Sequence, residues 1–217
     1  MLFRSKDMTP VTAMGDAVML VFVQPGGPVK SMRELIDYAK ANPDKLSYGS
    51  SGFGSIHHLA QEQVAMITGA QLLHIPYKTG TDSVAALVSG QIPVTYAILG
   101  SIGPHLRAGK VVPLARVGTT RLESMPQVPA LGELVPGFES PPGWEGVFAP
   151  AALPQPVLRR IHGEAVKALT SNAVKSKVAE IGFDVIANTP EEFTALIRSQ
   201  IELVTRIART AKFQPID

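Results

Sequence analysis

The residues with the most chemistry to offer lie in one stretch, Leu46-Ser47-Tyr48-Gly49-Ser50-Ser51-Gly52-Phe53-Gly54-Ser55-Ile56-His57-His58-Leu59. It starts as a short strand, passes through small and polar residues, and enters a helical pattern. From Ile56 the apolar positions recur as Ile56, Leu59, Ala60, Val64 and Ile67, one face of a 3.6-residue period. Ser55 stands where an N-cap belongs, and Gly69 follows the last periodic residue as a stop. Glycines 49, 52 and 54 let the backbone turn sharply and leave N–H groups uncovered. The start of a helix carries unpaired N–H groups and a partial positive charge, so such a loop suits an anion. The hydroxyls of Ser50, Ser51 and Ser55 add donors. Two readings fit the stretch: a cradle for something small and negative, or an ordinary tight connection.

The same residues offer a second chemistry. His57 or His58 could act as a base beside Ser51 or Ser55, with Asp44 or Asp82 as orienter, giving a hydrolase-like set. The string around Ser51 is not Gly-x-Ser-x-Gly, however, so the nucleophile elbow is missing. Downstream, Lys78 in a polar loop either pairs with a carboxylate or is simply exposed. Trp144, the one tryptophan, is either a wall of a cleft or a core aromatic.

Composition removes several alternatives. There are no cysteines, hence no disulfide, thiolate metal site or Cys nucleophile. The five histidines show no HExxH or comparable spacing, so neither a metal nor another cofactor is expected. A net charge of +2 without a basic cluster and interleaved aromatics argues against nucleic acid. No apolar run approaches the roughly 18 residues of a spanning helix. The opening Met1-Leu2-Phe3-Arg4-Ser5-Lys6-Asp7 lacks the pattern of a secretory signal. With 217 residues, 45% of them hydrophobic, the chain can form one large domain or two lobes.

The elements that must position these residues alternate. Ala17–Val23 reads as one buried strand, and Ser31-Met32-Arg33-Glu34 is a capping box opening a helix that ends before Pro43. After the central loop and helix come a buried strand over Gln71–Ile75, a polar loop at Tyr77–Thr81 and a helix closed by Gly90. Strands follow at Ile92–Leu99 and Val111–Val117, with a short helix between them. Strand and helix alternate over 20–117, the signature of a parallel α/β sheet. The proline-rich 121–142 reads as a winding connector with a short helix near Ala130–Val135. Beyond it the pattern gives a strand at Gly143–Ala149, helices from Pro154 and Val174, a short strand at Phe183–Ala187 and a last helix capped at Thr189. Ligands bind at the carboxyl ends of strands in open α/β sheets. Three strand-to-helix junctions, at Gly49–Ser55, Tyr77–Thr81 and Ile98–Ser101, would bring Ser50, Ser51, Ser55, Tyr77, Thr79 and Ser101 to one crevice.

Several strings, in order along the chain, resemble the tripartite tricarboxylate transporter substrate-binding proteins, the Bug or TctC-like extracytoplasmic solute receptors. They are Lys6–Val11, Pro28–Ser31, Leu46–Gly52 with Gly54-Ser55 and His58-Leu59-Ala60, His74–Lys78, Pro104–Lys110, Pro136–Glu139, Trp144–Pro150 and Thr189–Phe193. The resemblance implies a periplasmic-binding-protein-like, two-lobed Venus flytrap α/β fold. Its function would be to close on a small carboxylate (a di- or tricarboxylate or an aromatic acid) in the periplasm and deliver it to membrane permease subunits, without catalysis. It puts the second lobe at 20–117, the rest of the first lobe at 1–19 and 118–217, and the hinge strands near Val18–Val23 and Leu114–Gly118. The implied ligand contacts are Tyr48, Ser50, Ser51, Gly52, Gly54, Ser55 and His58, then Tyr77, Lys78 and Thr79, with Trp144 near the cleft.

Two departures stand against that pattern. The chain starts where the family is about a third complete, so an incomplete first lobe is expected, with apolar edges open to a second copy. The competing reading is therefore a truncated, non-transporting interaction or assembly module. In addition, Phe53 occupies a position where many relatives carry a polar residue, commonly Asn, which implies a pocket either drier or shaped for a different solute.

Overall fold

The computed structural model describes residues 7–211 and 213. The elements run β1 (Met8–Ala17), β2 (Met19–Val23), α1 (Met32–Ala41), β3 (Ser47–Ser50), α2 (Ile56–Thr68), β4 (Leu73–Pro76), α3 (Gly80–Val88), β5 (Val94–Ile98) and α4 (Leu99–Arg107). They continue with β6 (Val112–Arg116), α5 (Leu131–Leu134), β7 (Trp144–Pro150), α6 (Gln155–Leu169), α7 (Asn172–Glu180), β8 (Phe183–Val185) and α8 (Pro190–Thr210). Two compact units result. One holds the described residues up to Ala17 with Pro142–Glu202; the other holds Val18–Pro141 with the described residues from Leu203 on. The opening residues 1–6, whose composition was read for a leader, lie outside the described part.

The first unit is built on a three-stranded antiparallel sheet in the order β7-β1-β8. Its central strand has no strand-like pattern in sequence, since Pro10, Gly15 and Asp16 interrupt it, and its pairing with β7 carries two register shifts. Gly146 of β7 is the point of closest packing. A Cβ there would strike the ring of Phe193, which is fully buried at the start of α8.

The second unit is a five-stranded sheet, β4-β3-β5-β2-β6. The continuous strand read at Ala17–Val23 is in fact divided: Ala17 closes β1 in one sheet and Met19 opens β2 in the other. The all-parallel expectation also fails in part. β4, β3 and β5 are parallel, but β2 runs antiparallel to both β5 and β6. A strand buried on both faces looks the same in either direction, and β2 is such a strand. Met19, Val21 and Val23 face one apolar cluster while Leu20 and Phe22 face another. β4 was expected to be buried, yet Leu73 is half exposed because this strand is the sheet's edge.

The proline-rich segment is packed rather than loose. Arg116 N–H donates to Pro129 O at 2.8 Å, and Leu131, Val135 and Phe138 join the core over β2 and β6. Arg121 clamps Glu133 with Nε and Nη2 at 2.9 and 2.7 Å. That clamp and a backbone donor from Ala130 pull the Glu133 carboxyl down to about 2. Among the described residues no helix is long and apolar enough to cross a membrane.

Candidate functional site

Because β3, β4 and β5 are parallel, their carboxyl ends share one sheet edge, and the loops leading into α2, α3 and α4 leave from it. Ser50 is in register with Pro76, and Tyr77 N–H donates to Ser50 O at 3.0 Å. The first two junction loops are therefore neighbours.

The first loop is shaped by its own polar side chains. Gly52 and Gly54 have φ of 109° and 69°, a region in which a side chain is strained. Gly49 serves a different purpose from the turning role read for it: its space is taken by Ser83 Oγ and by Ile92 Cδ1, which would lie 2.5 Å from an added Cβ. It lets α3 sit close on β3. Ser55 is the N-cap, its Oγ accepting from His58 N–H at 3.4 Å and donating to Gly52 O at 2.7 Å. Gly54 N–H donates to His58 Nδ1 at 3.0 Å, so His58 holds the loop from behind. Its Nε2 lies 3.5 Å from Glu62.

Beneath the loop stands a column of rings. Tyr48 stacks on His74, His74 on His58, and His58 on Phe213, while the exposed Phe53 meets both imidazoles edge-on. Ser50 is fully buried, with Oγ 2.6 Å from His74 Nε2 and accepting from Gly52 N–H at 3.0 Å. Burial pushes the Tyr48 phenol far up and lowers His74 to about 4, an effect that His58 reinforces and Glu62 opposes. Tyr48, Ser50 and His58 are thus internal to the loop's foundation.

Ser51 is half-buried, and its Oγ is 2.9 Å from Nδ1 of His57. His57 is only 4% exposed, Nε2 has no hydrogen-bond partner, and burial lowers its pKa to about 4. The ring lies against Gly80, with Nε2 3.9 Å from where a Cβ on that residue would sit.

The second loop is organised by Thr79, the N-cap of α3. Its Oγ1 accepts from Asp82 N–H at 3.1 Å, and the Asp82 carboxylate accepts from Thr79 N–H at 3.1 Å and from Oγ1 at 2.9 Å. Tyr77 packs against the core cluster beneath α3, and Lys78 is exposed. The third junction differs, for α4 starts without a side-chain cap and the exposed Ser101 donates to Ile98 O. Trp144 belongs to the other unit, where it packs on Phe148 and Phe193 with its buried indole N–H unpartnered.

Two participants escaped the sequence reading. His57 was weighed there as a base or as a first-turn histidine that packs, caps or touches ligand, without its tie to Ser51 Oγ, and His74 only as part of a strand. The register Tyr48↔His74 is what brings the second into the column, and pairing of that kind is invisible in a single strand. The geometry does not assemble a Ser–His–Asp set: Asp82 is spent on the cap, Asp44 sits exposed in a turn, and nothing orients Nε2 of His57. No group of three or more metal-ligating side chains occurs among the described residues.

Comparison with known proteins agrees with this layout. A protein of Pseudomonas sp. strain P51, encoded in the tcbD-tcbE intergenic region, is 30% identical over 199 residues, 91% of this chain and 59% of its own length. BugT of Bordetella pertussis is 28% identical over 205 residues, covering 94% of this chain and 63% of BugT. The chain thus spans about three fifths of these curated relatives. Among solved structures, R. palustris Rpa4515 with adipate superposes with a TM-score of 0.83 at 30% identity, over 97% of this chain and 70% of that one. MatC of Rhodopseudomonas palustris with bound malate shares the fold, with a TM-score of 0.78 at 24% identity over 94% and 71% of the two chains. The family model of the tripartite tricarboxylate transporter family receptor matches residues 1–212, so the chain belongs to that family of periplasmic-binding-protein-like receptors, which are not enzymes.

Proposed function

We propose that this protein is an extracytoplasmic receptor that captures a small carboxylate, a di- or tricarboxylate foremost, for the permease of a tripartite transporter in the periplasm. The unit carrying Val18–Pro141 is the ligand-binding lobe on this reading. The observation that carries it is the pairing of two capped helix starts, α2 at Ser55 and α3 at Thr79, on adjacent loops of one sheet edge. Both present N–H groups without intrahelical partners and the positive ends of their dipoles, so charge develops where a carboxylate docks.

The roles divide by depth. Gly52, Gly54 and Ser55 shape the first loop, their own donors engaged within it, and leave the Ser51 hydroxyl and the first N–H groups of α2 to meet a carboxylate. Tyr77 and Thr79 shape the second loop in the same way, with the Lys78 ammonium free to meet a second carboxylate. Tyr48, Ser50 and His58 keep the first loop in shape from below. That Rpa4515 was solved with adipate and MatC with malate supports the choice of ligand class.

A thermal-shift screen over mono-, di- and tricarboxylates and aromatic acids tests the reading. A ligand that binds only the folded protein stabilises it by roughly 2.7 kcal/mol at a hundred times Kd. A saturable rise in Tm with one acid, lost with its amide and reduced in Ser51→Ala, is expected. Equal shifts with acid and amide, or no shift with any acid, would contradict it.

A further inference from the structure

We infer that His57 is a positioning residue for carboxylate capture: its Nδ1–H donates to Ser51 Oγ and so leaves the Ser51 hydroxyl proton free to be given to the ligand. The inference rests on the receptor reading above and assigns a role to a side chain outside the expected ligand contacts.

The contact between Ser51 Oγ and His57 Nδ1, at 2.9 Å, can run in either direction. If the serine donates, its proton is consumed inside the protein and Nε2 must carry the imidazole proton. If the histidine donates, Ser51 keeps its proton for an acceptor outside, and Nε2 is a bare lone pair. The surroundings of Nε2 decide between the two. That atom is buried and unpartnered, and the ring edge lies against Gly80, the first residue of α3. The first residues of a helix present N–H groups without intrahelical acceptors and the positive end of the helix dipole. The Thr79 cap engages Asp82 N–H, two residues beyond Gly80. The Asp82 carboxylate sits on the same cap and offsets that positive end, so burial decides: a buried N–H with no acceptor costs more than a bare buried lone pair. Burial keeps the ring neutral, in line with its depressed pKa. The partnerless burial of Nε2 against Gly80 thereby fixes the tautomer of His57, and His57 fixes the direction of the Ser51 hydroxyl.

This connects the two loops. The helix whose first residue covers the His57 ring edge also arms a hydroxyl on the neighbouring loop. A carboxylate accepts that proton; an amide or a sulfonamide NH2 offers it a weaker or misplaced acceptor. His57 therefore sharpens selection for the anion without touching it.

The test has two readouts. Long-range nitrogen-15 spectra of the histidines in the ligand-free protein at neutral pH report the tautomer directly, with His57→Asn used for assignment. The Nδ1–H form is expected, and a dominant Nε2–H form overturns the inference whether or not any acid binds. Calorimetric titration of whichever dicarboxylate the screen selects gives the second readout. His57→Phe should weaken binding about tenfold, Ser51→Ala by a similar factor, and the double variant by no more than either alone. His57→Asn, whose amide places an N–H near the lost Nδ1–H, should restore most of the affinity. Additive losses, or failure of Asn to rescue while the Tm of the variants stays near that of the parent, would overturn it. A protein with the Nδ1–H tautomer that binds no acid would instead contradict the receptor reading.

Discussion

His58 and His74 lie face to face, their ring centroids 4.1 Å apart and their planes 11° from parallel. One comes from the first turn of α2 and the other from edge strand β4, and together they form the floor under the Gly52–Ser55 loop. Phe213 continues the stack beyond His58 and Tyr48 continues it beyond His74. The loop proposed to meet the ligand is thus mounted on rings rather than on aliphatic packing, and its geometry answers to the protonation of His74.

An acid-labile fold follows. His57 and His74 titrate near 6.5 when unfolded and near 4 when folded, so the unfolded chain takes up their protons first. Their contribution is complete above the unfolded value, declines as pH falls from about 6.5 to about 4, and is flat below that. Tm measured across this window should fall with acidification. His74→Phe, which keeps a ring in the column but cannot titrate, should make the fall shallower. A slope unchanged in that variant would show that His74 does not supply it.

Gly49 is predicted to tolerate no side chain. Since Ser83 and Ile92 occupy the space its Cβ needs, Gly49→Ala has to push α3 off β3, an overpacking cost of about 1–3 kcal/mol. Denaturant unfolding of the variant measures it. Gly54→Ala, where no atom lies within 4 Å but φ is 69°, should cost less and act mainly through the loop. Equal costs at the two positions would contradict the distinction drawn between them.

The caps make separate predictions for stability and binding. Ser55→Ala and Thr79→Ala should each lower stability by about 1 kcal/mol. Thr79→Ala also removes the hydroxyl donor to the Asp82 carboxylate and leaves only the backbone N–H on it, so that negative charge at the start of α3 is less well masked. Carboxylate affinity should therefore drop further in Thr79→Ala than in Ser55→Ala, and Thr79→Ala/Asp82→Asn should recover part of it. Calorimetry on the three variants checks the order.

Much of this architecture was legible in sequence, and for definite reasons. The helix starts at Ser31 and Ser55 announce themselves because caps are local chemistry, read within four residues, whereas the cap at Thr79 was read only as part of a polar loop. The run Met19–Val23 announced a buried strand, but neither its direction nor the break at Val18 could be read from it. Both depend on partners far away in the chain. β1 was missed because its stability comes from pairing with β7 and β8 instead of from its own Pro- and Gly-containing sequence. At the site, the glycines and serines of the loop were visible as types. The separate task of Gly49, the burial of Ser50 and Tyr48, and the His58–His74 stack all arise from strand register and could not be.

The measurement that bears most directly on the central claim is an amide-resolved titration of the labelled protein with a dicarboxylate and with its diamide. The account predicts saturable shifts concentrated at the N–H groups of 51–58 and 79–82 with the acid, and far weaker ones with the diamide. Shifts that avoid both helix starts, or that are the same for acid and diamide, would contradict it.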